Sequence, residues 1–227
     1  GANLLGGPYG NATAPTSLGS GGSNRAGGSA VKLEANSGTV QLDGILIFSV
    51  VGGTSISGCS AGGSIWLKAN KITGVGTLNA SGGTCTSANA RGGGGGRIRL
   101  ESGTITYTGS INSKGGIGGI STTDGFPGTV TFVNNTYPNN WTVNGTFALL
   151  GGNYGEGNVT NVLGDFIVPV GQTLYVYGDC YSNATTAGCY NTSIEGQGVW
   201  INTSGNITVL GRIDGEFLGF PAFFGPG

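Results

Sequence analysis

Ten carboxylates and no histidine bound the chemistry open to this chain of 227 residues. The acids are Glu34, Asp43, Glu101, Asp124, Glu156, Asp165, Asp179, Glu195, Asp214 and Glu216. Without imidazole, the commonest general base, the commonest metal ligand and every Ser-His or Cys-His nucleophile pair are missing. A glycosidase needs two acids facing across a cleft, and a pectate-lyase-type enzyme gathers several for calcium beside a catalytic Arg or Lys. Only Asp214 and Glu216 lie within seven residues of each other. Gly215 between them and the aromatic run behind them read as a rim turn. No catalytic residue, metal site or cofactor is assigned, and the expectation is a protein that is not an enzyme.

The remaining reactive groups point to covalent maturation. Four cysteines are present, and an even number in an exported chain most simply makes two disulfides. Three connectivities exist. Cys59 with Cys85 and Cys180 with Cys189 is favoured: the first pair sits in glycine-rich loops after consecutive strand units, and the second closes a short loop. The rival zinc site lacks both Cys-x-x-Cys spacing and histidine. Asn-x-Ser/Thr acceptors occur at Asn11, Asn79, Asn134, Asn140, Asn144, Asn158, Asn183, Asn191, Asn202 and Asn206. Composition alone would give about four. The excess points to a secreted or cell-surface glycoprotein whose second half carries more sugar.

Composition removes several classes. Net charge is -1 with 37% hydrophobic residues, against the usual signature of disorder. The 50 glycines do not recur at every third position and prolines number 7, against collagen. Nine Lys and Arg are scattered over the length, so a nucleic-acid partner is not expected. The nearest basic patch, Arg91, Arg97 and Arg99, reads as strand residues facing solvent beside Glu101. No apolar run approaches the ~20 residues that cross a bilayer. The sequence opens at Gly1 and holds no Met, which reads as a processed product or a piece of something larger.

The elements that would carry these groups are short strands. Alternating segments 30–35, 64–69, 97–102 and 198–203 look like copies of one unit, each followed by a second short strand that runs into glycine. Val31, Ile65, Ile98 and Val130 are separated by 34, 33 and 32 residues, and a fixed period in this range means a stacked array. Residues 1–29 form a glycine-rich segment that covers or joins the array. Residues 30–134 hold the regular units, and 135–227 a looser continuation, with strands near 147–150, 166–170 and 174–177. No helix is expected, because glycine interrupts every stretch long enough for three turns. The predicted fold is all-β, a parallel β-helix with inward ladders such as Val31, Ile65 and Ile98. An antiparallel β-sandwich is the alternative. Glycines between the strands are expected to supply positive φ or close backbone approach. In so glycine-rich a chain, matches to Gly-x-Gly-x-x-Gly carry no phosphate-binding weight, and Gly92 to Gly96 reads as a tight rim.

Trp66 and Trp200 take the same place in two of the units, flanked by inward-type residues, so both should point outward. They would offer a sugar-stacking stripe or a subunit contact, or else pack beneath a covering loop. The C-terminal run from Gly211 is apolar, with Phe217, Phe220, Phe223 and Phe224, and has no polar cap. The open end of a strand array presents bare core and unpaired edges, so these residues are the expected assembly interface.

Three motifs, Gly62-Gly-Ser-Ile-Trp-Leu67, Asn79-Ala-Ser-Gly-Gly83 and Gly92-Gly-Gly-Gly-Gly-Arg-Ile98, together with 9–22 and Gly219-Phe-Pro221, resemble large exported glycine-rich surface proteins built from tandem modules. The resemblance covers most of the chain except its middle. It implies that a Gly-Pro-Gly segment like 225–227 leads directly into a segment like 1–22. The expected function is a structural module of an extracellular glycoprotein filament or coat, joined head to tail to copies of itself. The alternatives are a carbohydrate-binding adhesin and a polysaccharide lyase-like enzyme.

Overall fold

The computed structural model describes residues 14–23, 25–50, 58–119, 124–133, 136–137, 140–150, 159–177 and 199–215. Among these the regular structure is all strand, without helix, and every pairing is parallel. The antiparallel sandwich therefore finds no support in the described residues.

Three long strands set the frame: β1 (Ala30–Gln41), β3 (Ser64–Gly74) and β5 (Arg97–Tyr107), with β2 (Ile45–Ile47), β4 (Thr77–Asn79) and β6 (Ser110–Asn112) behind them. β1, β3 and β5 pair along their whole length apart from one irregularity in β1, and β2, β4 and β6 form a separate sheet. Past β5 the long strand divides. Its first half continues onto β7 (Thr129–Val133), β10 (Phe147–Leu150), β13 (Thr173–Tyr177) and β16 (Arg212–Asp214). Its second half continues onto β8 (Thr136–Tyr137), β11 (Val159–Val162) and β14 (Trp200–Thr203). A third column holds β9 (Trp141–Thr142), β12 (Phe166–Val168) and β15 (Ile207–Val209).

Alternation explains why the columns pack. Val31, Ile65, Ile98 and Val130 stand in register, as do Leu33, Leu67, Leu100 and Phe132. Ile65, Leu67, Leu100 and Val130 are fully buried, each worth roughly 1.5–3 kcal/mol of transfer free energy. Ile72, Ile105 and Leu78 continue the same core from the other two columns. In the later layers its centre is aromatic. Trp141 meets Phe132 edge-on at 5.3 Å and Phe166 at 5.0 Å.

The ~33-residue period breaks into two parts. Thr129 pairs with Ala148, only 19 positions on, whereas Ser64 pairs with Arg97, 33 positions on. The difference is a glycine-rich excursion after β2, β4 and β6 that the fourth layer lacks. Apart from an isolated parallel bridge between Gly58 and Arg91, the described parts of these excursions form no strands; they are segments bonded to one another at three-residue intervals. Gly93 and Gly96 donate to the carbonyls of Gly83 and Ala80, and Gly125 and Gly128 to those of Gly116 and Ser113. Between layers, Cys59 and Gly62 donate to Arg91 and Gly94, while Gly82 and Cys85 donate to Lys114 and Ile117. Three residues per turn without internal bonds is the period of a polyproline II helix. Such helices pack side by side only where glycine faces a neighbour's backbone. A methyl on Gly93 would strike the Ser60 carbonyl, one on Gly116 that of Gly83, and one on Gly128 that of Gly96. Residues 14–23 and 25–29 form the outermost described part of this stack: Gly19 donates to Gly28, and Gly28 to Ala61.

Two expectations change. Positive φ belongs not to the glycine-rich excursions but to Gly74, Gly145 and Gly171 among the described glycines. Gly74, at φ 122°, turns the chain from β3 toward β4 against the Leu42 carbonyl. Arg97 and Arg99 are not solvent-facing: they are 8% and 3% exposed. Arg97 donates to Thr129 Oγ1 at 3.2 Å, and Arg99 lies against Trp66 while pairing with Glu101.

Candidate functional site: a disulfide, exposed sequons and an aromatic charge ladder

Cys59 and Cys85 lie at disulfide distance, Cα to Cα 5.8 Å. They join two adjacent layers of the glycine stack, beside the Cys59 to Arg91 and Cys85 to Ile117 hydrogen bonds. This is the pairing expected from the loop positions. Cys180 and Cys189 lie outside the described residues, as do Asn11, Asn134, Asn158, Asn183, Asn191, Phe217, Phe220, Phe223 and Phe224.

Of the remaining sequons, Asn140, Asn144, Asn202 and Asn206 are exposed and Asn79 is half-buried at the end of β4. Asn79 Oδ1 accepts from the Ser81 N–H at 3.0 Å, and Ala80 and Ser81 are buried, so this sequon is folded into the root of a glycine excursion. Asn140 and Asn206 precede β9 and β15 at the same corner, two layers apart, with Asp165 between them. Asn140 Oδ1 accepts from the Asp165 N–H at 2.9 Å, and Asp165 Oδ1 accepts from the Asn206 N–H at 2.7 Å. A side chain in one layer thus satisfies the backbone donor of the next. Asp43 does the same for Val75, and Asn112 for Thr146. Sequence reading missed this role; the signal was an Asx residue at each corner, just before or after a short strand.

Trp66 and Trp200 both lie on the side of their strands opposite the core, but they are not equivalent. Trp66 registers with Lys32 and Arg99, in the first column. Trp200 registers with Val159, in the second, where Asn202, Asn161 and Thr136 lead back to Thr104. The 198–203 unit is therefore displaced by one column from 64–69. The chain between β10 and β11 and between β13 and β14 carries the extra length that earlier layers place in the glycine excursions. The two surroundings also differ. Lys32 Nζ stands 4.3 Å from the centre of the Trp66 ring and the Arg99 guanidinium 5.1 Å from it, whereas Trp200 is 66% exposed.

Beside Trp66 runs a charge ladder. Glu34, Lys68 and Glu101 stand in register, with Lys68 Nζ 3.4 Å from Glu34 and 3.2 Å from Glu101, and Lys32 and Arg99 close the ends at 2.6 and 3.1 Å. Hydrogen bonding from Lys32 lowers the Glu34 pKa. Burial pushes Glu101 up, but hydrogen bonds from Lys68 and Arg99 outweigh it and leave the pKa lowered. The hydrogen bond to Glu101 raises Lys68.

The other described acids are likewise engaged locally. Asp43 accepts from Gln41 at 2.6 Å, Asp124 from the Gly118 N–H at 2.7 Å, and Asp214 pairs with Arg212 at 2.8 Å. Asp214 belongs to a strand, not to the rim turn expected there. Among the described residues no three of His, Cys, Asp and Glu come together as a metal site, and no helix is long and apolar enough to cross a membrane.

Both ends of the stack leave core positions bare. At one end Leu33, in register with buried Leu67, is 39% exposed. At the other, Ile207, Val209 and Ile213 stand on buried Phe166, Val168 and Leu174 and are 58%, 45% and 42% exposed. Among the described residues β1 and β2 each pair on one edge, as do β14, β15 and β16. No protein-family model, curated protein or solved structure matches this sequence.

Proposed function

We propose that the layers wind as a parallel β-helix and that the chain is a structural module of an extracellular, N-glycosylated filament or surface coat. Modules join head to tail, either within one long polypeptide or by stacking of separate chains. The observation that carries this reading is the pair of unlike bare ends. Every described pairing is parallel, so within each sheet one end offers the edge that the other end lacks. An interface between unlike patches propagates as an open array instead of closing into a dimer. The Cys59–Cys85 pair and the exposed sequons fit an oxidising, glycosylating route.

Electron microscopy and light scattering of the purified, glycosylated protein test the proposal. Filaments, or oligomers growing with concentration, are the expected result. A monodisperse monomer at every concentration, with native material likewise dispersed, would overturn it. The adhesin reading loses Trp66, whose ring is flanked by two cations, and keeps only the exposed Trp200.

A further inference from the structure

Trp200 is the most exposed large aromatic among the described residues, and its strand contains the reason. Trp200, Ile201 and Asn202 are consecutive on β14. Ile201 packs against the core, so Trp200 and Asn202 share the opposite side, about 6.5 Å apart along the strand. Both are exposed. An aromatic two residues before a sequon asparagine on an extended strand lies where the first sugar of the attached glycan falls.

We propose that Trp200 is the stacking platform for the N-acetylglucosamine linked to Asn202. The proposal rests on the glycoprotein reading above. In the modification, Asn202 Nδ2 bonds to C1 of N-acetylglucosamine carried on a polyprenyl diphosphate. The diphosphate leaves with the electrons of the broken C–O bond, and Nδ2 gives up one of its two protons. The sugar's apolar face, with its axial C–H bonds, then lies on the electron-rich face of the indole, which is the geometry in which aromatic rings take up partially positive hydrogens. The glycan covers an apolar ring that would otherwise face water, and the ring orders the first sugar against the sheet. Among the exposed sequons of the described residues, sequence context sets this site apart; Tyr9, Phe132 and Tyr181 also stand two before Asn11, Asn134 and Asn183, but Phe132 is buried in the core and the other two pairs lie outside the described residues. The positions two before Asn140, Asn144 and Asn206 are Pro138, Thr142 and Ser204, none of them aromatic.

The test uses the full chain from a glycosylating eukaryotic cell, with glycans trimmed to a single N-acetylglucosamine. Wild type, Trp200→Leu, Asn202→Gln and the double variant are compared by glycopeptide mass spectrometry, thermal unfolding and sugar-proton NMR. With Asn202 occupied, the glycan should raise Tm in wild type and lose that increment in Trp200→Leu. The ring protons of this one sugar should move upfield in wild type only, while those at Asn140, Asn144 and Asn206 stay in place. An undiminished glycan increment in Trp200→Leu, or an unshifted sugar at Asn202, overturns the proposal. An empty Asn202 beside occupied neighbours overturns it alone. Every sequon empty overturns the glycoprotein reading as well.

Discussion

Gly93 packs against Ser60 in the layer before it, so closely that a methyl group on Gly93 would collide with the Ser60 carbonyl and come within 3.1 Å of that of Cys59. Gly94, the next residue of the same pentaglycine, has only the Phe126 carbonyl at 3.9 Å from where its methyl would sit. Two neighbouring glycines of identical local sequence should therefore respond oppositely to alanine. Gly93→Ala forces apart two hydrogen-bonded main chains and should cost about 3 kcal/mol. Gly94→Ala, at negative φ and in open space, should be neutral or stabilise by about 0.5 kcal/mol through the unfolded chain. Urea unfolding of the two variants decides it, and equal effects would mean that the glycine stack is not close-packed.

That contrast also marks where the sequence stopped being informative. The inward ladders were legible because Val31, Ile65 and Ile98 recur on alternating strands, and period two with a constant offset leaves one way to bury them. The glycine excursions were not, because a stack of extended glycine segments held by backbone hydrogen bonds uses no side chain to announce itself. Its only trace is the three-residue spacing of pairs such as Gly93 and Gly96. Trp200 was misplaced for a related reason. The ~33-residue period sums the strand segments and one glycine excursion, and once the spacing between paired strands changes, as from Ser64–Arg97 to Thr129–Ala148, counting residues no longer counts columns. The Cys59–Cys85 pair was legible because both cysteines lie at comparable places in consecutive excursions.

Cys59 and Cys85 fasten two layers of that stack. Replacing both by alanine should cost about 2–4 kcal/mol, chiefly through a less restricted unfolded chain. Reductant should lower the Tm of wild type by more than that of the double variant, in which only the expected Cys180–Cys189 pair is left to reduce. If the variant responds equally to reductant, the stabilisation comes from elsewhere.

The Glu34, Lys68 and Glu101 ladder predicts a plateau of stability against pH. Both carboxylates have lowered folded pKa values, so their contribution is present above the ordinary carboxylate range and is lost as pH falls through it. Lys68 has a raised folded pKa, so its contribution is present below the ordinary lysine value and disappears as pH rises through the folded one. Tyr107 adds to the alkaline loss. Its hydroxyl donates to the Gly76 carbonyl at 2.8 Å, and burial pushes its pKa up, so the fold favours the neutral phenol and loses that stability as pH rises above the ordinary tyrosine value. Lys68→Met should shrink the acid limb without removing it, because Lys32 and Arg99 still pair with Glu34 and Glu101, and should leave the part of the alkaline limb that Tyr107→Phe removes. Tm measured from pH 3 to 11 checks this, and an acid limb unchanged in Lys68→Met would show that the ladder is electrostatically idle.

The bare end of the stack separates assembly from folding. Val209 stands on buried Val168, yet is 45% exposed and has no described strand above it. Charge at such a position costs little while it faces water, because the lysine stem lies along the apolar surface and its ammonium stays solvated. Covered by another layer, the same ammonium is buried without a partner, which costs several kcal/mol. Val209→Lys should therefore leave Tm within about 0.5 kcal/mol of wild type and abolish end-to-end growth in light scattering and electron microscopy. The opposite end supplies the control: Leu33→Lys should block growth in the same way, and a mixture of the two variants should form pairs through their remaining intact ends and go no further. Filaments that grow normally from either variant would place the contact on another surface and remove the bare ends from the account of how modules join.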